Sequence, residues 1–349
     1  MNEIKTYWWK SPYNFREKID FLKYRWLSPK KPDGTVVFPH HLQRVGRSVN
    51  GGEREGRKIS LLFTGDLMPF GNHPPTHSDG LDAFLSSADY IVFNLEGIVT
   101  AQTRALALSH HPTALIEYLK GFQSKDTIKG IILNVANNHA SDFGAEVFER
   151  QNADLRSAGF LVVGDQNSPL CIEDKLTLSA ATFLSNQSAV IKTHTIDKLL
   201  AEEITIPPKE TYNIFMPHWG YEMHLQPLQK QVDLYQDLIS VGYDSVIGNH
   251  SHSAQAVYAA DQSIFASSLG NYCYLNNNPN HWMGTLLKCT FTMDDSGDKP
   301  ILSQIETRHI QQKVVDRTIR LDLTECIDYD ALRKAGITYN WDYIKDLLK

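Results

Sequence analysis

Seven short apolar runs frame this chain: residues 59–64, 90–93, 130–135, 161–163, 212–216, 244–247 and 263–266. Each is too short for a helix and rich in β-branched or aromatic residues, so each reads as a buried strand. Helical patterns lie between them. Residues 143–158 place Val147, Phe148 and Leu155 on one stripe, with Gly159 as the C-terminal stop. Residues 226–241 place Leu228, Val232, Tyr235, Leu238 and Ile239 on one face, with Pro227 near the start and Gly242 at the end. Strand alternating with helix predicts an α/β fold whose sheets are covered by helices. Farther on, residues 284–291 and 301–307 read as strands and 341–348 as a helix.

Five of the runs pass directly into polar clusters. Residues 59–64 lead into Gly65-Asp66, 90–93 into Asn94-Leu95-Glu96, and 130–135 into Asn137-Asn138-His139. Residues 212–216 lead into Pro217-His218-Trp219-Gly220, and 244–247 into Gly248-Asn249-His250-Ser251-His252. In sheets with helical crossovers, ligands bind beyond the carboxyl ends of the strands. Clusters distant in sequence therefore converge in one crevice. Asp, Glu, Asn and neutral His are donors that suit Zn, Mn, Fe or Co. Taken singly, each cluster has a plainer reading: Gly65-Asp66 as a turn, Asn137 to His139 as a helix cap. Their shared position at strand ends favours a pair of divalent cations. In His250-Ser251-His252 the side chains of an extended backbone would alternate, with Ser251 opposite the two imidazoles. A kink would instead aim them at adjacent metals.

Composition narrows the partners. Of 349 residues, 42% are hydrophobic and 21% charged, and the formal net charge is −6. No basic footprint for nucleic acid and no polybasic run for a lipid surface stands out. Cys171, Cys273, Cys289 and Cys326 form no C-x-x-C pair and read as reduced thiols. Residues 1–10 are polar and aromatic rather than a secretory signal. No run approaches the ~18 apolar residues that span a bilayer. The expectation is a soluble, cytoplasmic protein. Residues 1–57 read as an N-terminal arm packing on the main domain, residues 58–310 as that domain, and 311–349 as a C-terminal extension. The arm carries Trp8, Trp9 and Trp26, expected to fill a core, and a Gly-rich segment, 50–57.

The motifs also carry a resemblance. Gly65-Asp66, Asn94-Leu95-Glu96, Ala136 to His139 with Asp142 and Gly144, and His218-Trp219-Gly220 with Glu222 come in order. Gly248 to His252 with Gln255, and Ser268-Leu269-Gly270-Asn271, follow. Over about residues 58–275 the chain resembles the CapA, or poly-γ-glutamate capsule synthesis, family, which is similar to the calcineurin-like metallophosphatases. The resemblance implies a four-layer α/β/β/α sandwich with two divalent metal ions (Mn, Zn, Fe or Co). It implies Asp66 and His252 on the first metal, Glu96 bridging, and Asn138, His218 and His250 on the second. It makes His139 the neighbouring acid/base or charge-stabilising residue. Asn94, Asn137, Asp142, Trp219, Ser268 and Asn271 would stand behind these ligands or beside the substrate. Two positions depart from the pattern. Met68 stands where metallophosphatases usually have a His, which leaves the Asp66 metal short of a ligand. Ser251 stands where the family often has Pro.

Such a site suits hydrolysis of a phosphoester or of an amide or γ-glutamyl peptide by metal-activated water. No Ser–His or Cys–His nucleophile signature competes with it. His139 would protonate the leaving group. The same parts also suit epimerisation, with Glu222 or His224 as the base, and a non-catalytic metal-binding scaffold remains the third reading. The partner is a small molecule or peptide, with neither nucleic acid nor membrane. His110-His111-Pro112 reads as a surface turn, and His73 and His77 as part of a substrate-side loop within residues 71–80.

Overall fold

Alternation of side chains along the apolar runs organises the chain. The computed structural model describes residues 13, 15–26, 30, 34–52, 55–71, 73–102, 108–165, 169–187, 189–194, 199, 207–276, 281–293, 298–324 and 347. The strands begin with β1 (Gln43–Arg44), β2 (Ser48–Asn50), β3 (Arg57–Leu67), β4 (Thr76–His77), β5 (Tyr90–Leu95), β6 (Ile98–Val99) and β7 (His110–His111). They continue with β8 (Gly130–Asn134), β9 (Leu161–Val163), β10 (Leu170–Ile172), β11 (Leu176–Thr182), β12 (Tyr212–His218) and β13 (Ser245–Ile247). The last are β14 (Val257–Ala260), β15 (Ser263–Ala266), β16 (Asn271–Cys273), β17 (Met283–Met293), β18 (Ile301–Val315) and β19 (Thr318–Leu323). Helices among the described residues are α1 (Phe15–Trp26), α2 (Asp79–Leu85), α3 (Ala114–Gln123), α4 (Ala145–Ser157) and α5 (Gln229–Ser240).

One sheet runs β4-β19-β18-β17-β3-β5-β8-β9, with β16 beside β3 and β2 beside β18. The other runs β1-β14-β15-β13-β12-β11-β10, and β6 and β7 form a separate pair. Strands β3, β5, β8 and β9 are parallel, as are β11, β12, β13 and β15. The five strands that end in polar clusters are therefore parallel neighbours: three in one sheet and two in the other.

Successive residues on these strands feed different cores, which is why the runs read as continuously apolar. Ile59, Leu61 and Phe63 of β3, Val92 of β5 and Ile132 of β8 pack with Tyr212, Ile214 and Met216 of β12 and with Ile247 and Ile264. This core joins the two sheets. The alternate residues Leu62, Ile91, Phe93, Ile131 and Leu133 pack against Phe84 of α2, Leu119 and Phe122 of α3, and Phe148 and Leu155 of α4. On the second sheet Phe215, Val246 and Phe265 pack against Val232, Tyr235 and Leu238 of α5.

Several expectations shift. The helix expected at 226–241 starts at Gln229, because Pro227 and Leu228 precede it and the Gln231 side chain caps the Leu228 N–H at 2.8 Å. Strand β18 runs through residue 310, where the main domain was expected to end, and β19 continues the sheet beyond it. The arm contributes β1 to one sheet and β2 to the other. His110-His111 is not a surface turn: it is β7, paired with β6, and His111 is fully buried. His77 belongs to β4 rather than to a loop open to substrate. Its ring lies 2.8 Å from Asp82 Oδ1 and 2.9 Å from the hydroxyls of Tyr118 and Tyr272. Cys171, Cys273 and Cys289 are free thiols, and burial pushes the latter two well above the usual range. Trp8, Trp9, Cys326 and all but Leu347 of the expected 341–348 helix lie outside the described residues. No helix among the described residues is long and apolar enough to cross a membrane.

Candidate metal centre

The polar clusters meet where the carboxyl ends of the two parallel sets converge. Asp66, Glu96, Asn138, His218, His250 and His252 are all buried, Asp66, Glu96, His218 and His250 completely. Ligand atoms of Glu96, His218 and His250 lie within 4.8 Å of one another, and so do those of Asp66, Glu96 and His252. Glu96 is the member common to both groups. Its Oε1 lies 3.5 Å from His252 Nε2, 3.7 Å from His218 Nε2 and 3.9 Å from His139 Nε2. Asn138 Oδ1 is 2.9 Å from His218 Nε2, which is also 3.1 Å from His250 Nδ1.

Backbone geometry explains how one short segment serves both groups. His250 and His252 both have positive φ, +100° and +53°. This costs a non-glycine residue of order 1–3 kcal/mol and persists only where the surroundings impose it. The turn is held by the His250 N–H on Asp66 Oδ2 at 3.3 Å and by the Met223 N–H on the Ser251 carbonyl at 2.8 Å. Both imidazoles thus reach the cluster from a kinked backbone rather than from an extended strand. The Glu96 carbonyl is fixed in turn by Ser109 Oγ and His111 Nε2, each at 3.1 Å. Burial drives the His111 pKa down to about 4, so this ring is neutral.

Each imidazole has a partner on its far side. His252 Nδ1 lies 2.9 Å from Asn271 Oδ1 and 3.1 Å from Asp66 Oδ2. His139 Nδ1 lies 2.6 Å from Asp142 Oδ2, which also accepts the Ser109 N–H at 2.7 Å. The Tyr13 hydroxyl lies 3.0 Å from His250 Nε2. Asn94 donates to Asp66 Oδ1 at 2.8 Å. Partners of this kind fix the tautomer and orientation of a metal-binding ring. Other residues act farther out. Asn137 braces its own loop through the Leu95 carbonyl and the His139 N–H. Trp219 sits in the α5 core and donates to the Ser267 carbonyl, and Ser268 Oγ accepts the Gly270 N–H. These three support the loops from behind and do not line the cluster. Glu222 is half-buried on the loop after β12 and lines a cavity beside α1.

Burial and mutual charge set the protonation pattern of the cluster. Burial, with the Asp66 charge adding to it and His252 and His139 opposing it, pushes Glu96 up to about 8. Burial and the neighbouring imidazoles hold His218 and His250 well below the usual histidine range, so both are neutral donors. Burial opposes charge on His252, but Glu96 and Asp66 outweigh it and hold its pKa well above the usual value. The same contest, won by Asp142 and Glu96, raises His139. Both Glu96 carboxylate oxygens are buried without a hydrogen-bond partner among the described residues. A carboxylate left in that state costs about 1–3 kcal/mol or more. Surrounded by imidazole nitrogens, it fits a residue that bridges cations.

A family model described as bacterial capsule synthesis protein PGA_cap matches residues 60–275. The chain belongs to this family. The match covers all six clustered residues together with His139, Asp142 and Asn271. The PGA biosynthesis protein CapA of Bacillus subtilis (strain 168) is 26% identical over 246 residues, covering 62% of this chain and 63% of the relative. The capsule biosynthesis protein CapA of Bacillus anthracis is 24% identical over 266 residues, covering 63% of this chain and 61% of the relative. The chain thus spans about three fifths of the length of these PGA_cap relatives. Tyr13, α1 and strands β17 to β19 lie outside the family match. Tyr13 had no sequence signal at all, standing 237 residues from His250. His111 was visible only as half of a His-His pair. Asn186, whose amide lies 3.4 Å from both His139 ring nitrogens, sits in a loop without a motif.

Proposed function

We propose that this PGA_cap protein is a metal-dependent hydrolase whose centre holds two divalent cations on a four-layer α/β/β/α sandwich. The succession of cores, with helices outside each sheet and one core between the sheets, supports that architecture. Asp66 and His252 would hold one cation, Asn138, His218 and His250 the other, and Glu96 both. Glu96 carries the proposal: a fully buried carboxylate with no hydrogen-bond partner among the described residues, facing three imidazoles. When bound, the cations supply Lewis acidity toward water and toward the substrate's developing oxyanion.

The rest of the chemistry belongs to the protein. Asp142 holds His139 by Nδ1, favours its protonated form against the cost of burial and leaves Nε2 facing the cluster. His139 is therefore set to deliver a proton to a leaving group. Met68 is buried and its N–H is held by the Cys273 carbonyl, so the Asp66 side relies on three side chains. The relatives' names place them in PGA and capsule biosynthesis, which supports an amide or γ-glutamyl substrate over a phosphoester.

The test is a screen of the full chain, supplied with Mn or Zn, against generic phosphodiester, phosphomonoester and γ-glutamyl amide substrates. His139→Ala is expected to cut kcat on whichever is cleaved by about 10²–10⁴-fold and leave metal content unchanged. Intact turnover in that variant contradicts the assignment. Metal affinity carries a sign fixed by Glu96. Cations need the deprotonated carboxylate, and its pKa stands near 8. Affinity is expected to fall as pH drops below 8, by up to about tenfold per pH unit for each proton displaced. Calorimetric titration at pH 6, 7 and 8 in the same buffer series reads this directly, and a flat profile contradicts it.

A further inference from the structure

Two neighbours on strand β16 reach different parts of the protein. Asn271 reaches the metal centre, with its Oδ1 2.9 Å from His252 Nδ1. Tyr272 is buried, and its hydroxyl lies 2.9 Å from His77 Nε2 and 3.0 Å from the Tyr118 hydroxyl. The Tyr118 hydroxyl is also 2.9 Å from His77 Nε2, and His77 Nδ1 is 2.8 Å from Asp82 Oδ1. This network joins β16 to β4, α2 and α3. The proposed hydrolysis makes no use of it.

Its hydrogens have a definite arrangement. Burial holds the His77 pKa below the usual histidine value, against the pull of Asp82, so the ring is neutral at pH 8. A neutral imidazole has one N–H and one lone pair, and an ionised carboxylate only accepts. Nδ1 therefore donates to Asp82, and Nε2 accepts from a tyrosine. One lone pair serves one hydroxyl, and the other tyrosine donates to its neighbour's oxygen. The Tyr272 hydroxyl is the one that ties β16 to this arrangement.

The same strand sets the Asp66 side of the centre. Asn271 pairs with Asp66 across β16 and β3, and the Met68 N–H donates to the Cys273 carbonyl at 2.9 Å. Among the described residues that side gathers Asp66, Glu96 and His252. The other side draws on different elements: His218 ends β12, Asn138 follows β8 and His250 follows β13.

We propose that Tyr272 is a positioning residue for the cation on the Asp66 side, acting through β16, Asn271 and His252. The inference rests on the two-cation reading above. The network holds β16 in place, and Asn271 in turn holds the His252 ring by Nδ1, which leaves Nε2 toward Glu96. Loss of a direct outer partner of a metal-binding ring costs about 10–100-fold in metal affinity. One hydroxyl a step farther out costs less.

The test is a Zn titration of the full chain at pH 8, with the ring signals of His252 and His218 followed by NMR. Tyr272→Phe keeps the ring and its edge-on contact with Phe93 at 5.0 Å. It is expected to weaken Zn at His252 by about fivefold to tenfold and to leave Zn at His218 within about twofold. His77→Phe removes the acceptor and is expected to weaken Zn at His252 in the same direction. Tyr118→Phe is the control: it takes a hydroxyl from the same network but none from β16, and both ions are expected to stay within about twofold. Equal weakening at His252 and His218, or equal weakening by Tyr118→Phe, overturns the proposal. So does unchanged affinity at His252 in both Tyr272→Phe and His77→Phe. If the parent chain takes up no Zn, the two-cation reading fails, and the His252 signal of the metal-free protein decides the positioning. A shift in Tyr272→Phe and none in Tyr118→Phe supports it, and no shift in Tyr272→Phe overturns it.

Discussion

Glu96→Gln is expected to abolish metal binding and, in the same protein without added metal, to raise stability at pH 8. The two effects share one cause. Glu96 is fully buried, its oxygens have no hydrogen-bond partner among the described residues, and its pKa stands near 8 against an ordinary 4.5. A carboxyl whose folded pKa is raised contributes its stability fully below about pH 4.5 and loses it as pH rises toward 8. Gln cannot ionise, so that loss disappears, and its amide gains a donor for the surrounding imidazoles. A gain of order 1–3 kcal/mol at pH 8, shrinking toward zero near pH 4.5, is the expected size. The cost is functional: the one residue common to both ligand groups is gone. Thermal melts at pH 5 and 8, with and without Mn, read both halves. If Glu96→Gln still gains stability from Mn, or melts lower than the parent at pH 8, this role for Glu96 is wrong.

Gly65→Ala is expected to produce a large loss of stability next to the site. A Cβ at Gly65 would lie 2.2 Å from the Gly270 carbonyl oxygen and 2.7 Å from its carbon. Both obstacles are backbone, so no side chain can swing aside. The contact is tight because β16 pairs with the end of β3, setting Asn271 against Asp66, and the Asp66 N–H donates to Gly270 at 2.8 Å. Relief requires β3 and β16 to separate, which moves Asp66 and Asn271 away from His252. Overpacking of this kind costs about 1–3 kcal/mol and more where backbone must move, so a drop in Tm of roughly 5–10 °C is expected. Gly121→Ala is the control. Its Cβ would meet nothing within 4 Å on the exposed face of α3, and a gain of about 0.5–1 kcal/mol is expected there. If Gly65→Ala melts like Gly121→Ala, the close approach of β3 and β16 is not what holds Asp66.

Legibility followed the reach of each signal along the chain. The strands that carry the site were readable because both faces are buried, so period-2 alternation collapses into short continuous apolar runs such as Leu61-Leu62-Phe63. Their convergence was readable because parallel strands put their carboxyl ends on one side. The kink at His250 and His252 was left open, because positive φ in histidine has no composition signature of its own. His111 was misread as a turn because its role, holding the Glu96 carbonyl, exists only in three dimensions. Tyr13 lay in an arm that no motif connected to the site. That one strand crosses residue 310 was not legible, because β18 continues with a mixed polar pattern, Gln311-Gln312-Lys313, whose alternation is weaker than that of the central strands.

Metal stoichiometry of the full chain tests the central claim most directly. The protein is stripped with chelator, dialysed against Mn or Zn at pH 8, and analysed for bound metal and melting temperature. The account predicts about two ions per chain, with the ion relying on Asp66 the more easily lost, and a rise in Tm that grows with free metal. Less than about 0.2 ion per chain, with no thermal gain from either metal, contradicts it.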